Sequence, residues 1–183
     1  MKRLIVNADD FGNTSGVNEA QEAAELAKSN LKLGVGLHFD LLFKDRDFLS
    51  KVGESPDPQT LKMIVKEFHE QMQKLEEIIG AMPTHIDIHH HGYIPSAISA
   101  FLAKFSKENH IPLRKAGAIN FIDSFSTPDP KDATVEKLIK ILKSLPDGVS
   151  ELMTHPGYSS AELRQISSMS DCRELELQTL TSP

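Results

Sequence analysis

Apolar runs of strand length alternate along this chain with longer stretches whose apolar residues recur every three or four positions. That order is expected of repeated βα units and a mostly parallel sheet rather than of a sandwich. The pattern predicts strands over Lys2–Asn7, Leu33–Phe39, Thr84–His89, Ala116–Ile122 and Val149–Met153, most of them rich in Ile, Val, Leu or Phe. The clearest helix runs from about Gln59 to Ile79, where Leu61, Ile64, Val65, Phe68, Met72, Leu75 and Ile79 share one face and Gly80, then Pro83, end it. A second helix is predicted from Ser96 to Glu108 through Ile98, Phe101, Leu102 and Phe105. A third runs from Ala133 to Leu145 through Val135, Leu138, Ile139 and Leu142, and Pro146-Asp147-Gly148 turns it into the next strand. The fold class is therefore α/β. Thr181-Ser182-Pro183 reads as the opening of one more helix, a capping serine followed by proline, so a terminal helix is expected beyond it.

Composition narrows the setting. At 183 residues and 39% hydrophobic, the chain can bury one core, and a single domain over 1–183 is the expectation. A formal charge of −6, with no Lys/Arg cluster denser than Lys2-Arg3, gives no electrostatic footprint for nucleic acid or an anionic membrane; a neutral or soluble small substrate fits better. No apolar stretch approaches the length of a membrane span and no signal-peptide layout opens the chain, so a cytoplasmic location is expected. The lone Cys172 agrees with a reducing compartment and is read as a bystander.

Polar chemistry collects just after the apolar runs. Asp9 and Asp10 follow the first, His38 ends Gly36-Leu37-His38, and His85-Ile86-Asp87-Ile88-His89-His90-His91 carries the densest imidazole content. Loops at the carboxyl ends of parallel strands build active sites, so Asp9, Asp10, His38, His89 and His155 are expected to converge on one rim. Strand alternation places His85, Asp87 and His89 on one face and Ile86 and Ile88 on the other. Hard oxygen and imidazole donors on three separate strand ends suit a catalytic divalent cation. Paired aspartates can divide two roles, one binding the cation and the other taking a proton from water. Blander readings stand beside these. Asp9-Asp10 could open a turn and helix cap through Phe11-Gly12-Asn13-Thr14-Ser15, and His155 before Pro156 suits a plain hydrogen bond as well as it suits a general acid. His69 reads as a solvated boundary residue and His110 as a helix C-terminal cap. No P-loop, dinucleotide glycine fingerprint or Gly-x-Ser-x-Gly elbow competes.

At Asn7-Ala8-Asp9-Asp10-Phe11-Gly12, Gly36-Leu37-His38, His85–His91 and Thr154-His155-Pro156-Gly157 the chain resembles the YdjC-like carbohydrate deacetylases, which include the chitooligosaccharide deacetylases. The resemblance runs from Met1 to Pro183. It implies an irregular (β/α) barrel of mostly parallel strands, a cytoplasmic enzyme, often a homodimer, and removal of acetyl groups from N-acetylated sugars during carbohydrate breakdown. It also implies a divalent cation, usually magnesium, although two imidazoles and one carboxylate would suit zinc as well. Carried over by position, Asp10, His38 and His89 look like the metal ligands, Asp9 like the general base, and His155 like the site histidine that protonates the leaving amine.

The chain departs from the family pattern as well. Gly16-Val17-Asn18-Glu19-Ala20 passes directly to Gln21-Glu22-Ala23-Ala24-Glu25-Leu26, where roughly a βα unit is expected; shorter contractions fall around Leu42–Phe48 and Leu113–Ala118, and the family's final segments are missing after Pro183. We expect stretches missing from this sequence rather than a pared-down gene, because a parallel barrel that loses an interior strand exposes edges and core. Gly92-Tyr93 stands where many relatives have valine and another histidine, and Ile88 where a small serine is common, which bears on substrate contacts more than on ligands. Two rival functions are a metal-dependent phosphoesterase, which would draw on His90, His91 and Asp87 for a second ion, and a noncatalytic sugar-binding relative.

Overall fold

The computed structural model describes residues 1–10, 24–30, 32–41, 52, 55–89, 92, 94–127, 129, 132–166 and 169–183. They belong to two compact units, Met1–Ser15 with Gly117–Pro183, and Gly16–Ala116. The turn expected at Phe11–Ser15, the contraction at Leu42–Phe48, and His90, His91 and Tyr93 lie outside the described residues.

The first unit carries a three-stranded sheet of β1 (Lys2–Ala8), β4 (Ile119–Ile122) and β5 (Gly148–Thr154), in the order β1-β5-β4, with both pairings parallel. Val6 pairs with Leu152 and Ala8 with Thr154, so the two longest strands end level. Leu152 and Phe125, both fully buried, form the core with Ile141 and Leu145, and Leu4, Ile122 and Leu138 pack against them. Helix α3 (Val135–Ser144) is capped by Thr134, whose hydroxyl accepts the Lys137 amide at 3.2 Å. Ile5 and Val6 are 44% and 52% exposed, unlike an interior strand of a sheet covered on both faces. Among the described residues β1 pairs only with β5 and forms an edge.

Two helices beyond the last strand, α4 (Ala161–Ile166) and α5 (Ser170–Leu180), are not predicted by apolar periodicity. The buried face of α5 explains why: it consists of Ser170, Cys172, Arg173, Glu176 and Thr179, a largely polar stripe at helical spacing. Thr181 and Ser182 close α5, with the Thr181 amide donating to Leu177 O at 3.1 Å and the Ser182 hydroxyl to Thr179 O at 2.8 Å. Cys172 is buried, and desolvation pushes its thiol up, in keeping with an inert side chain.

The second unit holds the parallel pair β2 (Leu37–Phe39) and β3 (Ile86–Ile88), shorter than the predicted runs, with the extended residue Leu113 bridging to the other side of β3. Helix α1 (Pro58–Ile79) begins where Asp57 accepts the Gln59 and Thr60 amides at 2.9 and 3.0 Å, with Pro58 in the first turn. It ends at Gly80, whose φ of 75° suits glycine and lets its amide reach Glu76 O at 2.7 Å. Phe68 of α1 is fully buried edge-on to Phe39, Phe101 and Phe105, binding α1, β2 and α2 (Ser96–Asn109) into one core. His69 is exposed beside that cluster, as expected. His110 does cap α2, through its backbone: at φ 56° its amide donates to Ser106 O. The described strands thus bear out an α/β fold with parallel pairing, and among the described residues no sheet closes on itself.

Candidate active site

In the first unit, the level ends of β1 and β5 set the geometry. The Asp9 amide donates to Thr154 O at 2.8 Å and the Thr154 hydroxyl donates to Asn7 O at 3.0 Å, so the ladder continues one residue past β1 and delivers Asp9 and Asp10 beside His155. Asp10 adopts φ 63°, a left-handed conformation uncommon outside glycine and tolerated best by Asp and Asn. Its Oδ2 receives the buried Arg173 guanidinium and stands 3.9 Å from His155 Nε2. Asp9 is itself buried, with 6% of its surface exposed.

His155 is held from its other side. Ser126, in the turn that follows β4 and anchored by buried Phe125, lies 2.5 Å from His155 Nδ1 through its hydroxyl oxygen. That same hydroxyl donates to Glu176 Oε1 at 2.6 Å, and Glu176 Oε2 accepts the backbone amide of His155 at 2.6 Å. Glu176 is fully buried; desolvation raises its pKa above the ordinary glutamate range, outweighing the hydrogen bonds from Ser126 and His155 and the charge of Arg173, and Asp9 adds to the rise.

In the second unit, strand register does the corresponding work. His38 of β2 pairs directly with Asp87 of β3, and paired residues of parallel strands face the same side. His38 Nδ1 is hydrogen-bonded to Asp87 Oδ1, and its Nε2 lies 3.0 Å from His89 Nδ1. Arg114, nearly fully buried, reaches Asp87 Oδ2 at 3.4 Å, and His85 Nε2 lies 3.9 Å from the same oxygen. Burial alone would push the Asp87 carboxyl up, but the hydrogen bond from His38 and the charges of His38, Arg114 and His85 hold it below the usual aspartate range. Gly36 makes room for this arrangement, since a Cβ there would fall within the imidazole of His85. Asp87 is therefore an orienting carboxylate with both oxygens engaged by neighbours of its own unit.

The His38–His89 pair fits a divalent cation. Two imidazole nitrogens sharing an ion at roughly 2.1 Å stand about 3.0–3.4 Å apart, depending on the ligand angle, and the observed separation is 3.0 Å. A carboxylate on the far nitrogen of a ligating histidine is the usual outer support of such a site, and Asp87 supplies it to His38.

Every expected site residue thus sits at a strand end or beside it: Asp9, Asp10 and His155 in the first unit, His38 and His89 in the second. Arg114, Ser126, Arg173 and Glu176 were not foreseen. Serine after a strand and charged residues on a helix are ordinary, and none of the four carries a motif of its own.

The sequence matches the YdjC-like protein family over residues 19–183. This chain belongs to the YdjC-like family. Among its curated relatives, a carbohydrate deacetylase of Thermoanaerobacter pseudethanolicus is 33% identical, with 99% of this chain and 91% of that protein covered. One from Clostridium beijerinckii is 31% identical over 98% and 91%, and a chitooligosaccharide deacetylase of Proteus mirabilis is 28% identical over 97% and 90%. The alignment to the Thermoanaerobacter protein spans 232 positions, more than the 183 residues of this YdjC-like chain, so the relative carries internal stretches with no counterpart here. The crystal structure of a proposed cellobiose-phosphate cleavage protein of Enterococcus faecalis V583 superposes with a TM-score of 0.74 at 24% identity, covering 99% of this chain and 91% of that one, which establishes a shared fold.

Proposed function

We propose that this YdjC-like protein is a metal-dependent carbohydrate deacetylase that hydrolyses the acetamide of N-acetylated sugars, with Asp10, His38 and His89 holding a divalent cation, Asp9 as general base and His155 as general acid. The observation that carries the metal reading is the 3.0 Å approach of His38 Nε2 to His89 Nδ1 while Asp87 engages the other nitrogen of His38. The sugar reading is supported by the relatives named carbohydrate deacetylase. The bound cation would supply Lewis acidity toward the acetamide carbonyl and the attacking water. Asp9 takes the proton that water releases. His155 gives the proton on Nε2 to the departing amine nitrogen, and the acetate and free amine products follow as the C–N bond breaks. Arg173 fixes the Asp10 carboxylate. The same reading carries magnesium as the ion with zinc as its competitor, a chitooligosaccharide-type substrate, a barrel-like arrangement of the parallel strands in one functional domain, a homodimer and a cytoplasmic location.

A second reading exchanges the two aspartates, and the Arg173 guanidinium on Asp10 favours it, because a carboxylate already beside a fixed cation gains less from a second one. Acetate release from N-acetylated chitooligosaccharides tests both, using metal-stripped protein with magnesium, zinc, cobalt or manganese restored separately. Metal-dependent release that falls about 10²–10⁴-fold in Asp9→Asn, with cation affinity retained, supports the first assignment. Lost affinity in Asp9→Asn with affinity retained in Asp10→Asn supports the exchange. No release with any metal removes the function.

A further inference from the structure

Helix α5 delivers a fully buried carboxylate, Glu176, to His155, which it engages once directly and once through Ser126. Oε2 accepts the His155 backbone amide at 2.6 Å, fixing where the residue leaves β5, and Oε1 accepts the Ser126 hydroxyl proton at 2.6 Å. A serine hydroxyl has one proton. Once that proton is committed to the carboxylate, the Ser126 oxygen can only accept from the imidazole nitrogen 2.5 Å away, which must then be Nδ1–H. We propose that Glu176 and Ser126 form a positioning relay that locks the neutral His155 ring in its Nδ1–H tautomer and makes Nε2, the nitrogen facing Asp10, the atom that gains and loses the proton.

The inference rests on His155 being the general acid, and it says how that role is secured. When imidazolium gives its Nε2 proton to the leaving amine, the ring left behind is the Nδ1–H tautomer, the form the Ser126 oxygen is set to receive. In the opposite tautomer the proton to be gained would face Ser126, on the wrong side of the ring. Neither residue touches the reacting atoms; both act through His155. The relay has a direction, and the direction comes from the charge on Glu176. In Glu176→Gln the amide oxygen is needed by the His155 backbone N–H, so the amide nitrogen faces Ser126 and donates to it. The Ser126 hydroxyl then points its proton at Nδ1, which forces the neutral ring into the Nε2–H form.

The test is the tautomer itself, read from imidazole nitrogen shifts of ¹⁵N-histidine-labelled, magnesium-loaded full chain at alkaline pH, with His155 assigned by its absence in His155→Gln. The wild type is expected to show a protonated Nδ1 and a lone-pair Nε2. Ser126→Ala is expected to revert to Nε2–H, Ser126→Thr to keep the wild-type pattern, and Glu176→Gln to invert it. A wild-type spectrum with Nε2–H overturns the relay and needs no variant to fold; an unchanged tautomer in Ser126→Ala overturns it as well. Alongside, Ser126→Ala should lower kcat for acetate release by about ten- to a hundredfold at little cost in KM, and Ser126→Thr should restore it. Tautomers as expected with no acetate release from any form would leave the relay standing and remove the deacetylase reading instead.

Discussion

The two units orient their histidines by different means. In the second, the partner that sets His38 is Asp87, the residue directly across a parallel strand pair, and the contact follows from register alone. In the first, the partners that set His155 are Ser126, 29 residues earlier, and Glu176, 21 residues later, and they meet only because helix α5 buries a polar face. A side chain braced within a ladder is rigid for as long as the ladder holds. A histidine braced by a buried carboxylate and a hydroxyl, in the relay we propose, also has its tautomer chosen for it. The second unit therefore orients its histidine through strand register, and the first through the buried polar face of a helix.

The largest effect that separates the two halves should come from the aromatic core of the second. Phe68→Ala removes a fully buried ring that joins α1, β2 and α2, at a cost of about 3–5 kcal/mol. Denaturant titration should show the loss, and an unchanged midpoint would mean the unit does not depend on that cluster. Next, Asp87→Asn keeps the shape across from His38 while removing the charge, and cation affinity measured calorimetrically should fall about 10–100-fold with the fold intact. Undiminished affinity would show that register alone orients His38.

A smaller effect belongs to the first unit. Burial holds the Glu176 pKa above its ordinary value of about 4.3, so the folded chain keeps that proton longer than the unfolded chain does. The associated stability is fully present below the ordinary value and is lost as pH rises through the folded one. Glu176→Gln does not titrate, so the wild type should lose stability relative to this variant across that rise, as Tm followed against pH would show. A difference that stays flat with pH would contradict a raised Glu176.

What the sequence disclosed follows the same division. Apolar periodicity found α1 and α2 because Phe68 and Leu102 are buried by their own hydrophobicity, and strand alternation put Asp87 and His89 on one side of Ile86 and Ile88. It missed α5 because the face that α5 buries is Ser170, Arg173, Glu176 and Thr179, which a search for apolar stripes reads as surface. The same blindness hid Arg114, whose burial beside Asp87 comes from a pairing across β3 that no motif announces. The apolar run Leu4-Ile5-Val6 does form a strand, yet Ile5 and Val6 are exposed, consistent with the internal stretches that the Thermoanaerobacter relative has and this chain lacks.

The most direct test of the account is calorimetric titration of metal-stripped protein with zinc and with magnesium, comparing the wild type with Asp10→Ala and His38→Ala. The account predicts one site per chain that is lost in both variants, because a carboxylate and an imidazole serve the same ion. A site that survives Asp10→Ala at full affinity while His38→Ala removes it would contradict the shared ligand set and leave the second unit binding metal on its own.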